Sequence, residues 1–524
     1  MYKWFMAWRY LYTKLIAIFA VLGVALCVAM VLVVLSVMGG FLDTMKERSR
    51  GLLADIILDA GTLQGWPFYQ EFADHLQAKL PGDVKLATPV IHNYGIFRVP
   101  ESTYTKPARV VGIRLGEYSQ VNTFGEGLHY DTYFPGTTHL GKQAQPVAGL
   151  NDLGVPILPG DLREANSVWR KQRQAEGDLD AIAEYDKGPF TLFPLSGDRV
   201  FDWGEVPGYA GPEFDGVIVG CDLLNERKAD GSFERPYPRG MTMALTLMPL
   251  TQKGNPTSEL AVKLPLRYVD DSRTGVYEID SACVYVGFDA LQHVLAMDAQ
   301  PLVDGGVGKP RTTQLLITLN DGVDLVSARN RIEDAWIELL VSLGDKPTEM
   351  ERRLLGFVEV QTWEDMQRTF IVALEKEKIL MTILFGLISV VAVVLIGCIF
   401  YMIVQKKTRD IGVLKSLGAS GSGVAGMFIL YGAAVGVVGA ALGIGIGTVF
   451  VWYINDIQSF LTNLDPSLRV WSPEVYTFDR IPNVVKPSDA TWIGSIAILA
   501  AMLGSLVPAI LAARVWPVKA LRYE

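Results

Sequence analysis

The residues of this chain that could do chemistry are few and widely spaced. Its five histidines form neither an HExxH sequence nor a pair at metal-ligand spacing: His75, His92, His129, His139 and His293. The segment 305–310 (GGVGKP) superficially resembles a phosphate-binding loop, but it lacks that motif's first glycine and the Ser or Thr after the lysine. There is no G-x-S-x-G elbow and no Cys/His cluster. We therefore predict no catalytic residue, no metal site and no cofactor bound by this chain.

The four cysteines divide into two kinds of surroundings. Cys27 and Cys398 lie in long apolar runs, where we expect them to act as small apolar fillers. Cys221 and Cys283 lie in a more polar part of the chain, where a disulfide is permitted if the compartment is oxidising. Two free thiols are the alternative.

The apolar residues are concentrated in four stretches. Of the 524 residues, 50% are hydrophobic and only 20% charged, and the mean hydropathy is +0.26, whereas soluble chains carry about 25% charged residues. Each uncharged stretch exceeds the ~20 residues that cross a bilayer as a helix, and the first exceeds the apolar part of a signal peptide. We predict transmembrane helices at residues 15–42, 379–405, 424–455 and 490–513.

Basic residues flank these helices on one side. Residues 1–14, 406–420 and 514–524 contain ten Lys and Arg against two acids, which leaves a net −17 for the rest of a chain whose net charge is −9. Because Lys and Arg are retained in the cytoplasm, we expect these three segments, and both termini, to be cytoplasmic. Residues 43–378 and the loop 456–489 are then extracytoplasmic. The acidic balance argues against nucleic acid as a partner.

The large part between the first two spans mixes strand-like and helix-like runs, which predicts an α+β domain. The expected strands are 83–99, 108–115, 216–220, 241–248 and 314–319, and the expected helices are 68–80 and 325–343. Residues 116–215 are richer in Gly, Pro, Tyr and Phe, with one polar helical stretch at 165–185. We interpret 116–215 as an insertion.

The membrane spans contain no interior charged residue, which argues against an ion or proton pathway. In the third span Gly439, Gly443 and Gly447 recur at four-residue spacing. Small residues at this spacing lie on one helix face and let another backbone approach closely, although glycine is also simply common in membrane helices.

Two segments beside the second span could transmit motion. Before it, apolar residues recur at helical spacing and lead into charged ones, which predicts a stalk continuous with the span, or else a surface helix that ends the domain: Trp363, Met366, Phe370, Leu374, Glu377 and Lys378. After it, Thr408 could cap a short helix on which Ile411, Leu414 and Leu417 share a face and which Gly418 ends. This helix is either a docking element for a partner or an ordinary basic loop.

Several segments resemble the ABC transporter permeases of the MacB/FtsX type, and among them the lipoprotein-releasing branch (LolC/LolE). The layout of one early span, a large domain and three late spans is similar. The matching segments run along most of the chain outside 116–215: 35–41 (LSVMGGF), 217–224 (VIVGCDLL), 274–281 (TGVYEIDS), 363–378, 407–420 (KTRDIGVLKSLGAS) and 512–524 (AARVWPVKALRYE). Gly39 stands where the branch usually has Asn, Cys221 where it has Lys, and 116–215 prevents us from assigning a carrier-docking loop.

The resemblance implies a noncatalytic membrane subunit with a MacB-like periplasmic domain in the bacterial inner membrane, working by mechanotransmission. Its partners would be two copies of a cytoplasmic ABC ATPase that uses ATP and magnesium, a second permease subunit, a lipoprotein cargo and a periplasmic carrier. The ATPase would press on Arg409, Asp410, Ile411, Leu414, Lys415, Leu417, Gly418 and Ala419. Candidates for a lipid groove between the first two spans are Val33, Val37, Met38, Met381 and Phe385, although packing against a partner explains these side chains equally well.

Two alternatives remain from the sequence. One keeps the architecture but changes the task to MacB-like efflux or FtsX-like regulation of a cell-wall hydrolase. The other is a membrane-anchored domain that binds or senses without ATP.

Overall fold

A computed structural model describes residues 15–100, 102–142, 160–178, 213–227, 233–237, 239–257, 261–299, 308–464 and 481–516. The described residues form two compact units. The helix bundle contains residues 15–46, 369–464 and 481–516, and the sheet domain contains the described residues of 47–368.

The helices and strands are numbered here in chain order. The helices are α1 (Leu15–Leu52), α2 (Tyr69–Lys79), α3 (Leu115–Val121), α4 (His129–Tyr133), α5 (Gly160–Glu176), α6 (Cys221–Leu224), α7 (Tyr277–Asp280), α8 (Phe288–Val294), α9 (Leu325–Leu343), α10 (Glu349–Leu355), α11 (Trp363–Met366), α12 (Arg368–Lys406), α13 (Thr408–Ser416), α14 (Gly421–Trp452), α15 (Ile454–Leu464) and α16 (Pro487–Ala513). The strands are β1 (Ile56–Asp59), β2 (Trp66–Pro67), β3 (Val84–Arg98), β4 (Thr105–Ile113), β5 (Asp215–Gly220), β6 (Glu226–Arg227), β7 (Phe233–Glu234), β8 (Thr242–Leu247), β9 (Val262–Ser272), β10 (Cys283–Gly287), β11 (Arg311–Thr312), β12 (Gln314–Leu319) and β13 (Glu359–Thr362).

Four helices of the bundle, α1, α12, α14 and α16, are long and apolar enough to cross a membrane. Three of the predicted spans each fall within one of these helices, and the third along the chain, 424–455, runs three residues past the end of α14 at Trp452. The apolar segments of the four helices are Ile18–Thr44, Ile371–Lys406, Gly421–Trp452 and Pro487–Ala513. Ser420 caps α14, since its side chain accepts a hydrogen bond from the backbone N–H of Gly423. Pro487 is the first residue of α16, a position where its missing N–H costs no helical hydrogen bond.

The sheet domain is built around the long strand β3, which belongs to two sheets. Residues 84–90 of β3 pair with β12, and β12, β1 and β13 continue an antiparallel sheet from there. Residues 91–98 pair with β4, and 95–98 also pair with β8. Because β4, β10, β5, β9 and β8 pair in that order, the strands close into a ring of six. Closure leaves no unpaired edge in this part of the domain.

Alternation along the strands decides which side chains fill the ring. In β8 the residues 242–247 (TMALTL) alternate between half-buried and buried, and Met243, Leu245 and Leu247 point inward. The same interior contains Phe97, Val110, Val217, Val219, Leu266 and Val284. A second part of this core lies under α2 and α9, where Trp66, Phe72 and Trp336 pack edge to face at 5.0–5.3 Å.

The predicted insertion is partly integral to the domain. Phe124 and Leu128 lie in the apolar layer on the outer face of the ring, whereas Tyr130 and Phe134 join the main core. The first part of 116–215 is therefore packed against the sheet, since these side chains cover sheet surface that would otherwise be exposed, and its interpretation as an insertion stays a prediction. The helical stretch predicted at 165–185 is α5, which begins and ends earlier along the chain, and its Trp169 contacts Tyr133. The remainder, 143–159 and 179–212, lies outside the described residues.

Candidate functional site

The short helix predicted after the second span is α13. The hydroxyl of Thr408 does not cap it but donates to the carbonyl oxygens of Val404 and Gln405, both at 3.0 Å, so Thr408 is bonded to the last turn of α12. Lys407 and Asp410 form an ion pair across the start of α13. The segment is therefore an ordered helix fastened at its beginning.

The apolar stripe predicted on α13 divides into an inner and an outer part. Ile411 is 1% exposed and lies in the core of the helix bundle. Leu414 is half-buried beside Met427 of α14, whereas Leu417 is 80% exposed. Ile411 therefore anchors α13 in the bundle, whereas Leu417 is accessible on the surface.

Lys415 has a structural role that the sequence did not reveal. Its ammonium group donates to the carbonyl oxygens of Ala513 and Val515, both at 2.8 Å. These carbonyls end α16, where the helix dipole is negative and the last C=O groups lack helical partners. The ammonium group of Lys415 therefore holds the end of α16, and its contact with an ATPase stays a prediction.

Gly418 ends the linking segment as predicted. Its φ of +98° is a conformation that side-chain-bearing residues rarely adopt, and the backbone N–H of Ala419 turns back to the carbonyl of Leu414 at 3.1 Å. The exposed residues of this segment form what we call the outer face of α13: Arg409, Asp410, Val413, Ser416, Leu417 and Gly418.

The glycine face of α14 is confirmed as a packing surface. A Cβ on Gly439 would lie 2.7 Å from Val24 Cβ, and one on Gly443 would lie 2.6 Å from the carbonyl oxygen of Ala25. Gly447 faces the same helix, α1. The glycines therefore let α14 and α1 approach more closely than any larger residue would permit.

Helix α12 is packed less completely than α14. It approaches α16 closely at one point, where a Cβ on Gly504 would lie 2.8 Å from the carbonyl oxygen of Val393. The opposite side of α12 exposes large apolar side chains, among them Leu387, Val391 and Val394, each more than half exposed. An apolar surface of this kind suits lipid or another membrane helix.

A cavity of about 200 Å³ lies between α1, α12 and α16. Its wall includes Val28 and Leu35 of α1, Phe385 and Val393 of α12, and Ile493 of α16. Ile496 also lines it and is half-exposed, so the cavity opens at the surface of the bundle.

The predicted groove residues occupy two places. Phe385 lines this cavity, whereas Val33, Val37, Met38 and Met381 lie outside its wall and are half-buried. The sequence did not indicate that α16 contributes to the cavity, because its apolar residues carry no mark that separates wall from lipid-facing positions.

The predicted stalk is interrupted. The buried Trp363 belongs to α11, which ends at Met366. The backbone of Gln367 (φ −91°, ψ 6°) then departs from helical geometry before α12 begins at Arg368. The expectation of an unbroken helix is therefore wrong. Glu377 is exposed and Lys378 half-buried on α12, while the side chains of Phe370 and Leu374 lie outside the described residues.

Charged residues meet at the end of the bundle where α1 leaves its apolar segment. Asp43 pairs with Lys486 at 2.7 Å, and Lys46 pairs with Glu375 at 3.3 Å. Lys378 lies beside α1, its ammonium group 4.0 Å from where a Cβ on Gly39 would be. Sequence reasoning assigned Lys378 to the stalk and did not predict these two ion pairs.

A buried ion pair in the sheet domain was also missed. Asp271 is fully buried and accepts two hydrogen bonds from Arg235, at 2.6 and 3.0 Å, besides bonds from Asn225 and the hydroxyl of Tyr268. Burial is the largest single influence and raises the pKa of the Asp271 carboxyl, but the charge of Arg235 and the hydrogen bonds from Arg235 and Tyr268 act with nearby His129 to make the net shift downward. Two adjacent acids in a strand-like run (268–272, YVDDS) were the available signal.

The neighbouring carboxyl group behaves differently. Asp270 accepts hydrogen bonds from the backbone N–H groups of Tyr130 and Asp131 and from the hydroxyl of Thr138. Burial raises its pKa to about 7. Residues 123–127 form a short 3₁₀ helix. The hydrogen bonds to Asp270 attach the segment after this helix to β9, so the segment packs against the ring.

The cysteines carry free thiols, so the disulfide allowed by the sequence is not formed. The thiol of Cys283 accepts hydrogen bonds from the Arg109 guanidinium at 3.0 and 3.2 Å. Cys221 lies near Asp222 and Asp280, their ligand atoms all within 4.8 Å of one another. Both oxygens of Asp280 already accept bonds, from Thr274 and the backbone of Gly275, and burial raises the pKa of the Cys221 thiol, so this cluster is held by local hydrogen bonds.

Comparison with known proteins finds a family match over part of the chain. Residues 382–517 match the family described as FtsX-like permease C-terminal. The lipoprotein-releasing system transmembrane protein LolC of Neisseria meningitidis is 32% identical over 167 residues, which are 32% of this chain and 40% of that protein. LolC of Xylella fastidiosa is 26% identical over 250 residues, which are 48% of this chain and 53% of that protein. The chain thus spans about half the length of the curated relatives it matches.

A solved structure also matches weakly. The periplasmic region of MacB from Actinobacillus actinomycetemcomitans is 13% identical, covers 61% of this chain and 94% of that one, and gives a TM-score of 0.26.

Proposed function

We propose that this chain is the membrane subunit of an ABC transporter that releases lipoproteins from the bacterial inner membrane, because residues 382–517 match the FtsX-like permease family and the chain is similar to LolC. In this proposal the sheet domain is periplasmic, both termini and α13 are cytoplasmic, and a separate ATPase supplies the energy. ATP and magnesium are bound by that ATPase. A second permease subunit, a lipoprotein cargo and a periplasmic carrier complete the assembly.

The observation that carries the proposal is the outer face of α13. Thr408, Ile411 and Lys415 fasten this helix to α12, the bundle core and the end of α16, while Leu417 projects outward, 80% exposed. A rigid helix with an exposed leucine fits a groove on a partner protein. Force applied there would reach α12 and α16 together, because α13 is bonded to both.

The second permease subunit is supported by α12. Its side away from α16 exposes a row of large apolar side chains, and a partner helix or lipid must cover it. The predicted groove residues Val33, Val37, Met38 and Met381 remain candidates for contact with the acyl chains of the cargo.

The test of ATPase coupling is Leu417→Asp. If α13 docks on the ATPase, this variant buries an unpaired carboxylate in the interface, and we expect at least a tenfold loss of copurifying ATPase and of its activity. The matched control is Leu464→Asp, which changes another exposed leucine, the last residue of α15, and should leave association unchanged. Full association of the Leu417→Asp variant would contradict docking through α13.

The cargo is tested separately. Complex purified with ATPase and then incubated without ATP should retain lipoproteins and release them to a carrier when ATP is added. Recovery of a cell-wall hydrolase instead would favour the FtsX-like alternative, and retention of neither would contradict lipoprotein release.

A further inference from the structure

The cavity between α1, α12 and α16 is elongated along the helices. Along α1 its wall runs from Val24 to Leu35, and along α12 from Thr382 to Ile396. At ~1.5 Å per residue these stretches measure about 17 and 21 Å. The space is therefore extended along the helices, as an acyl chain in a membrane is.

The wall offers no free donor to a polar ligand. The two hydroxyl groups that line it are already used within α12, since Thr382 donates to the carbonyl of Lys378 at 2.8 Å and Ser389 to that of Phe385 at 2.9 Å. Apart from Cys27, the remaining wall is apolar. Apolar cavities of ~150 Å³ stay free of water and bind hydrocarbon, and this cavity is of about 200 Å³.

One end of the cavity carries a positive charge. Leu35 and Thr382 line the wall, and Gly39 and Lys378 lie one helical turn beyond them on α1 and α12. The ammonium group of Lys378 reaches to 4.0 Å from the Cβ position of Gly39. Lys378 therefore lies one helical turn beyond this end of the cavity and reaches from α12 toward α1 there.

Among the described residues, no acid balances the charge of Lys378. The neighbouring carboxylates are engaged, Asp43 by Lys486 and Glu375 by Lys46. Among the residues that the structure describes, no carboxylate lies within ion-pair distance of Lys378, although its side chain is half-buried. An anion at this place would restore the balance and gain a charge-assisted hydrogen bond.

We propose that this cavity holds one acyl chain of a resident anionic phospholipid whose phosphate binds Lys378. The acyl groups of a lipoprotein are attached to glycerol and an N-terminal cysteine without a nearby anion, so Lys378 favours a phospholipid over the cargo. The site belongs to the single chain and needs neither ATPase nor lipoprotein. It is therefore separate from the proposed transport function and can be tested without it.

The test measures lipid bound to the full chain, purified from vesicles of phosphatidylcholine and phosphatidylglycerol, by native mass spectrometry. We expect one retained phosphatidylglycerol per chain. Lys378→Gln should lower its retention relative to phosphatidylcholine about tenfold, as the loss of one charge-assisted hydrogen bond implies. Lys378→Arg should preserve it. The matched control is Lys376→Gln, which removes the same charge from the exposed side of α12.

A second pair of variants tests the cavity itself. Ala497 lines the wall, and Ala497→Phe should fill the space and abolish retention of either lipid, whereas Leu499→Phe on the exposed side of α16 should not. Equal phosphatidylglycerol retention by Lys378→Gln and Lys376→Gln would overturn the proposal. So would unchanged retention by Ala497→Phe, or a cavity that retains only a lipoprotein acyl group.

Discussion

The two units of this protein pack their interiors by opposite means. The bundle joins α14 to α1 through Gly439 and Gly443, whose missing side chains let the backbones approach closely. The sheet domain instead encloses large side chains within its ring and buries a complete ion pair between Asp271 and Arg235.

This difference follows from the surroundings in which each unit folds. A domain that folds in water gains free energy from every apolar side chain it buries, and it can include a charge pair if every hydrogen bond is made. Helices in lipid gain little from apolar burial, since lipid is as apolar as leucine, and they depend on close contact. The comparison therefore predicts that the sheet domain is most sensitive to unpaired charge and the bundle to added volume.

The largest effect is expected from Arg235→Met. Removing this guanidinium leaves the fully buried Asp271 without its main partner, which should destabilise the sheet domain by about 3–5 kcal/mol. Thermal unfolding of the full chain, followed by limited proteolysis of the sheet domain, measures the loss. Arg173→Met is the control, because Arg173 forms an exposed pair with Glu176, and such pairs contribute about 0–1 kcal/mol.

A double variant sharpens the same comparison. Arg235→Met combined with Asp271→Leu removes both charges and should recover much of the lost stability, since a buried pair can be replaced by apolar residues. Arg235→Met alone with wild-type stability would show that the pair does not stabilise the domain.

The next effect in size is Gly443→Leu. The added side chain would clash with the backbone of Ala25, and overpacking of this kind costs about 1–3 kcal/mol. The control is Gly445→Leu on the same helix, where a Cβ meets nothing within 4 Å. Thermal stability of the two variants in detergent should differ, with Gly445→Leu equal to the wild type or slightly more stable because leucine favours helix. Equal destabilisation by both would mean that the glycine face is not what joins the helices.

The smallest effect is expected from Lys415→Met. It removes the ammonium group from the end of α16 but keeps the apolar length of the side chain, so the loss should be about 0.3–1 kcal/mol. Lys415→Arg should retain the contact with the carbonyls. Protease cleavage after Arg514 reports whether the end of α16 has loosened, and unchanged cleavage in Lys415→Met would contradict its anchoring role.

The sequence predicted the helices and strands better than it predicted which of them pair or pack together. Alternation in 241–248 and helical spacing in 325–343 identified β8 and α9, because both patterns are local. Closure of the ring through β3 and β8 joins residues about 150 positions apart in the chain, and no local pattern encodes that pairing. For the same reason Asp271 and Arg235 went unnoticed as a pair.

In α13, too, the sequence predicted the local pattern but not which residues would be buried or in contact. The pattern of Ile411, Leu414 and Leu417 predicted an apolar face but not that Ile411 would be buried and Leu417 exposed. Lys415 looked like one more basic residue at a membrane boundary. Its contact with Ala513 spans 98 positions and exists only because α13 and the end of α16 meet.

The sequence by itself determined four apolar helices, an α+β domain, a glycine face and the absence of recognisable catalytic motifs. Composition and periodicity decide these features, because burial and lipid solvation act on each segment separately. The tertiary structure decided which side chains share a space, including the cavity that ends near Lys378 and the ion pair inside the sheet domain. Those depend on distances between segments far apart in the chain, which only packing of the whole can set.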